Sequence, residues 1–387
     1  MLNRRTFTTG IAAMAVAGTV QAIEVDDDDA IRATLRQRVE VEKRTVGMAV
    51  CVISPGRKRF VAWGRERLGN DFPVTSQTVF ELASITKIFT ALLLADMVRS
   101  GEAGLDDPVA RHLPGDFQLP VLDGRQITLA DLATHTSGLP RWPAVTAASS
   151  VQSYLEAIAR LGLEDFKAWL ADFHPPRPAG AAWEYSNAGY ALLGMALAYR
   201  GGRSFETLLR ARVLDRMGLQ ETTFHPTAAM LPHLAEGHDR ALKPTPGQCY
   251  GACAGTGIFA AAGGLYSTAH DMSDFAAAIL PGSGARITPD EQLLLTVRRA
   301  APLMGGMQAL GWEVLDAPGG PFVSKDGVSS GQATSMLLDP DRGVAIVALS
   351  NTFPDLHGST PSGGGTGTAD IARHLLRPQI PLGGGGG

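Results

Sequence analysis

Two groups of strand-like runs, one at each end of the chain, constrain the fold more than any other feature. Near the start, "VGMAVCVISPGRKRFVAWGRE" reads as strand, turn at Pro55-Gly56, strand. Near the other end, "ALGWEVLDA", "PFVSKDG", "ATSMLLDPD" and "GVAIVALSN" follow one another, the last two joined by the turn-prone Pro340-Asp341-Arg342-Gly343. Between them, from about 84 to 273, the texture is helical, with "TKIFTALLLADMVRSGE", "SVQSYLEAIARL" and "YALLGMALAYR" separated by Gly and Pro loops. Strands joined by short turns pair antiparallel, because a parallel pair needs a long crossover. This order predicts an α/β chain of the α+β type. A mainly antiparallel sheet is built from both chain ends (about 45–83 and 308–376), flanked by helices, with an all-helical region at about 84–307 inserted between them. A last helical run, "TADIARHLLR", follows the strands, while "SGGGTGT" and the Gly-rich tail at 377–387 cannot bury apolar area and are expected to be flexible.

Composition narrows the partners. A hydrophobic fraction of 45% with 19% charged residues is globular, and 387 residues fit one large domain, placed at 23–376. Net charge is −4 and no Lys/Arg cluster is dense enough for nucleic acid or an anionic membrane surface, so a small molecule or a peptide is the expected partner. Residues 1–22, "MLNRRTFTTGIAAMAVAGTVQA", combine paired Arg4 and Arg5, a short apolar run and a small-x-small end at Val20-Gln21-Ala22. They read as an export signal of possible twin-arginine type, too short in its apolar part to be a stable membrane anchor, and predict a periplasmic or secreted protein.

Three cysteines are too few for a disulfide scaffold. Cys249 and Cys253 are near enough in sequence to bridge, a matter that spacing alone does not decide, and Cys51 reads as a small core residue. His225, His233 and His238 match no zinc spacing, and no metal or organic cofactor is expected.

Within the apolar stretch "ELASITKIFTALLL", Ser84 and Lys87 stand one turn apart. Ser84 as a helix N-cap and Lys87 as a snorkelling side chain would explain them without chemistry. The chemical alternative is that desolvation favours the neutral amine of Lys87, which can take the proton of a nearby hydroxyl, while the Ser84 N–H at a helix start can meet a developing oxyanion. Companions favour the second reading. "AAWEYSNAGYALL" supplies Tyr185 and Asn187, a phenol that neighbouring cations can acidify and an amide that can hold a substrate carbonyl. "PFVSKDGVSSG" supplies Lys325-Asp326-Gly327 at the end of a strand.

In this order, S-x-x-K, Y-x-N and K-x-G, the chain resembles the penicillin-recognising serine hydrolases, whose third motif is K-T-G. It is most similar to class C β-lactamases and to periplasmic D-alanyl-D-alanine carboxypeptidase/endopeptidases, with "GEAGLDDPV", "ITLADLATHTSGLP", "MGLQETTFHP" and "AAGGLYSTAHDM" extending the likeness over about 45–375. The resemblance implies a β-lactamase/transpeptidase-like fold and an acyl-enzyme on Ser84. Lys87 and Tyr185 would move protons, Asn187 would bind a substrate amide, and Lys325, Asp326, Gly327 and Val328 would form the substrate strand. The backbone N–H groups of Ser84 and Val328 would make the oxyanion hole. The implied substrates are β-lactams or peptidoglycan peptides, with small esters or slow penicillin binding as alternatives.

Asp326 stands where the family has threonine. It would either repel a substrate carboxylate or pair with Lys325; alternatively it points away and Ser329 or Ser330 supplies the hydroxyl. Gly327 to Gly331 also fits G-x-S-x-G, but that motif needs a helix after the serine, and a strand is expected there. His135 reads as a structural turn residue, and His270-Asp271 as a helix start.

Overall fold

The computed structural model describes residues 27–144, 157–158, 160–245, 257–280, 294–295, 299–301, 306–329, 331–353, 367–380 and 382. Residues 1–22, Cys249, Cys253, Ser330 and most of the tail lie outside them.

One eight-stranded antiparallel sheet organises the molecule, in the order β2-β1-β10-β9-β8-β7-β6-β5. β1 (Gly47–Ser54) and β2 (Arg57–Gly64) form the first hairpin. Its turn is possible because Gly56 adopts a φ of 71° that costs glycine nothing. β8 (Phe322–Val328), β9 (Ala333–Asp339) and β10 (Val344–Ser350) come from the far end, and β10 pairs with β1, so the two chain ends close one sheet as the sequence predicts. Short strands β5 (Arg299–Ala301), β6 (Gly306–Gln308) and β7 (Glu313–Leu315) extend it beyond β8.

Strand alternation divides the core in two. Met48, Val50, Val52, Leu337, Ile346 and Ala348 face α1 (Asp28–Arg36) and α8 (Thr368–Leu376), which bring Ile31, Leu35, Ile371 and Leu375. Ala49, Cys51, Met336, Leu338, Val347 and Leu349 face the helical region. That region holds α2 (Thr86–Arg99), α3 (Leu129–Ala133), α4 (Leu163–Asp172), α5 (Asn187–Gly201), α6 (Ala260–Gly263) and α7 (Ala269–Ile279). α2 is buried on every side from Thr86 to Met97, which is why its sequence is apolar throughout rather than striped.

The stretch 84–307, read as all-helical, also contains strands. β4 (Tyr266–Thr268) pairs with β3 (Val79–Glu81) in a separate two-stranded ribbon, and β5 and β6 belong to the large sheet. Each spans three residues, too few for a period of two to show against helical neighbours. His270 and Asp271 do open α7, where Thr268 accepts from the Asp271 N–H as N-cap. No helix among the described residues is long and apolar enough to cross a membrane.

Candidate active site

From Thr78 to Met97 every residue is buried except Ser84. Ser84 sits in a 3₁₀ turn, Ala83–Ile85, ahead of α2, and the helix N-cap is Ile85, so the Ser84 hydroxyl is not spent on capping. Ala83 before it is held at φ 47°, a left-handed conformation unusual for a residue with a side chain, and this turns Ser84 out of the buried segment.

The Ser84 Oγ accepts two hydrogen bonds, from the Tyr185 hydroxyl at 2.6 Å and from Lys87 Nζ at 3.1 Å. Lys87 is fully buried and also donates to the Ala262 carbonyl of α6 at 2.5 Å. Burial pulls its ammonium down to about 8; Lys325 and Arg141 push the same way, against the attraction of Tyr185. Burial alone would raise the Tyr185 phenol, but Lys87 and Lys325 beside it outweigh burial and bring it to about 8. Serine, phenol and amine therefore form a connected set in which one proton fewer makes a base for the Ser84 hydroxyl near neutral pH.

Two further groups hold Tyr185. The His135 ring lies 4.4 Å from the Tyr185 ring, and its Nδ1 accepts from the Ser186 N–H at 3.0 Å. Burial first, then Lys325, Lys87 and Arg141, keep this imidazole far below its usual range and so neutral. The structural role expected for His135 is thus a specific one, fixing the backbone next to Tyr185. Lys325 Nζ stands 5.0 Å from the Tyr185 ring and 2.9 Å from Glu313 Oε1. Burial opposes its charge, but Glu313 and Tyr185 raise the ammonium above its ordinary value. Sequence reasoning missed Glu313, since only the β7–β8 pairing, with Glu313 opposite Ser324, brings it to Lys325.

Asn187 begins α5, its N–H donating to the Arg141 carbonyl at 3.0 Å, and its side-chain amide makes no hydrogen bond to another described residue. β8 passes against the Ser84 turn so closely that a Cβ on Gly327 would lie 2.3 Å from the Leu82 carbonyl and 3.1 Å from Ser84 N. Only glycine fits there. The Ser329 N–H donates to the Gln332 carbonyl, so by strand alternation the Val328 N–H points away from β9. β7 stops covering that edge of β8 at Ser324. The edge from Lys325 to Val328 is thereby left without a strand partner beside Ser84 among the described residues.

Of the alternatives open for Asp326, the structure shows the one in which it points away. Its side chain lies on the face opposite to Lys325, toward α8, where Arg373 Nη2 stands 3.4 Å from its Oδ2. It neither pairs with Lys325, which uses Glu313, nor enters the substrate strand through its carboxylate. Ser329 does not supply a replacement hydroxyl, because it is 2% exposed and lies beside Glu81, a buried carboxyl that burial raises. β9 starts at Ala333, so the G-x-S-x-G match has a strand after it and fails as a nucleophile elbow. Glu221, His270 and Asp271 gather within 4.8 Å at the start of α7, but Asp271 Oδ2 already accepts from Thr222 Oγ1 and the Glu221 N–H.

Comparison with known proteins bears on the family and the fold. The family profile described as beta-lactamase matches residues 31–361. A beta-lactamase of Escherichia coli (strain K12) is 28% identical over 339 residues, 86% of this chain and 82% of its own. The D-alanyl-D-alanine-carboxypeptidase/endopeptidase AmpH of the same strain is 28% identical over 322 residues, 80% of each chain. The solved structure of a beta-lactamase/D-alanine carboxypeptidase from Yersinia pestis shares the fold, with a TM-score of 0.74 at 23% identity over 92% of this chain and 99% of that one. With a profile match spanning most of its length, the chain belongs to the beta-lactamase family.

Proposed function

We propose that the protein is an exported serine hydrolase that opens β-lactams or cleaves D-alanyl-D-alanine-type peptides through an acyl-enzyme on Ser84. The observation that carries this reading is the pair of hydrogen bonds converging on one half-buried hydroxyl, from Tyr185 and from a lysine pulled down to about 8. In the reading, the deprotonated member of the Lys87/Tyr185 pair takes the Ser84 proton as Oγ attacks the amide carbonyl. The oxyanion is met by the N–H groups of Ser84 and Val328, and the same pair returns the proton to the leaving nitrogen. Asn187 and the free edge of β8 would hold the substrate on either side, and water would then hydrolyse the ester. Relatives named beta-lactamase and carboxypeptidase/endopeptidase support both substrate classes. Residues 1–22 would direct export to the periplasm or beyond. An Asp326 that repelled a carboxylate would have favoured the esterase alternative, and the turn of that side chain toward Arg373 gives it no such support.

Intact-protein mass after seconds and minutes with benzylpenicillin tests the reading. The expected result is an adduct of the antibiotic's mass on the wild-type chain and none on Ser84→Ala. A transient adduct with hydrolysed antibiotic indicates β-lactamase turnover, and a persistent one indicates a penicillin-binding peptidase. No adduct together with no hydrolysis of the antibiotic would refute the assignment.

A further inference from the structure

Three cations surround the Tyr185 ring: Lys87 Nζ at 5.0 Å, Lys325 Nζ at 5.0 Å and Arg141 Cζ at 5.2 Å. Lys87 is committed to Ser84 and the Ala262 carbonyl, and Lys325 to Glu313. Arg141 is different: it is exposed, and its guanidinium makes no hydrogen bond or ion pair among the described residues. Glu184, which precedes Tyr185 in the sequence, is taken by Arg177. A fork of five donors held over an aromatic face and lacking an anion is arranged to receive one.

Its position is set by two hydrogen bonds to the start of α5. The Pro140 carbonyl accepts from Ser186 Oγ at 2.8 Å and the Arg141 carbonyl from the Asn187 N–H at 3.0 Å, so the loop carrying Arg141 is tied to the residue whose amide is free to bind substrate. The free edge of β8, with Val328, lies on a different element. We propose that Arg141 is a specificity-determining residue that recognises a carboxylate on the acyl portion of the substrate, the portion lying along Asn187. This rests on the acyl-serine reading above. The favoured substrates are then amides whose acyl side chain carries an acid, such as a peptide with a free side-chain carboxylate.

Benzylpenicillin and carbenicillin test this directly, since they differ by one carboxylate on the acyl side chain. The expected result is that Arg141→Gln lowers the carbenicillin-to-benzylpenicillin ratio of acylation rate constants ten-fold or more, that the ratio in wild type falls as salt is raised, and that Arg141→Lys is intermediate. A ratio unmoved by Arg141→Gln, including equal losses with both compounds, overturns the inference and would mean that Arg141 acts through Lys87 or His135. Wild-type protein acylated by neither compound overturns the hydrolase reading and this inference with it.

Discussion

Lys325 keeps its charge at 1% exposure because Glu313 sits 2.9 Å away, and that buried charge bears on both proton-carrying groups at once. It lowers Tyr185 by favouring the phenolate and lowers Lys87 by disfavouring a second ammonium. Acylation needs one proton removed from the Lys87/Tyr185 pair, so kcat/KM for a penicillin is expected to rise with pH through an apparent value of about 8 belonging to the pair as a whole. Lys325→Met takes away the charge that lowers both, so the rising limb moves to higher pH; a limb that stays in place or moves down would contradict this account. The residues with the chemistry were legible because they stand in short motifs whose spacing is local. The side of a strand is not local in this sense. Asp326 could be read as facing a substrate until β8 had a partner and an α8 beside it, and His135 and Glu313 gain their roles only through contacts with Tyr185 and Lys325 made by the fold.

At the scale of elements, the site is a meeting of three: the turn before α2, the start of α5 and the end of β8. Their closest approach is at Gly327, where the strand backbone nearly touches the Leu82 carbonyl and Ser84 N. Gly327→Ala must push β8 away from Ser84 or strain both, which is expected to cost about 1–3 kcal/mol in a urea unfolding experiment. Acylation should fall by far more than that loss of stability explains in protein that is still folded, because the Val328 N–H would move with the strand. An alanine variant with wild-type acylation would show that β8 can shift without the site noticing. Elements differed in how readable they were. α2 and α5 announce themselves as long apolar runs. α1 does not, since its sequence DDAIRATLR buries only Ile31 and Leu35 and looks like a charged surface stretch, although Asp27 caps it by accepting from the Asp29 and Ala30 N–H groups. β3 and β4 are ordered by each other rather than by their own pattern.

At the scale of the whole molecule, the sheet separates a catalytic face from a purely structural one. On the structural face α1 and α8, drawn from opposite ends of the chain, seal the strands, and the helical turn that follows α1 (Gln37–Val41) is joined to α8 by a buried ion pair in which Arg38 Nη2 lies 2.5 Å from Asp370 Oδ2, with side chains 5% and 3% exposed. Such a pair adds little relative to a well-packed apolar substitute, but removing one partner leaves the other buried without its counter-charge. Burial already raises the Asp370 carboxyl, and Arg38 is the group that most opposes the rise. Arg38→Met is therefore expected to lower unfolding free energy by about 3–5 kcal/mol. Because Asp370 in the variant would be held still higher, the deficit should shrink as pH falls and the carboxyl is neutralised in the folded state. The acylation rate of the molecules that remain folded should change little, since Ser84, Lys87 and Tyr185 lie across the sheet, among the helices that Ala49, Cys51 and Val347 face. Urea midpoints at two pH values, read beside penicillin acylation on the same samples, test both halves. A large loss of acylation without a loss of stability would mean that the α1–α8 face reaches the active site through the sheet, by way of Arg373 and Asp326 on β8.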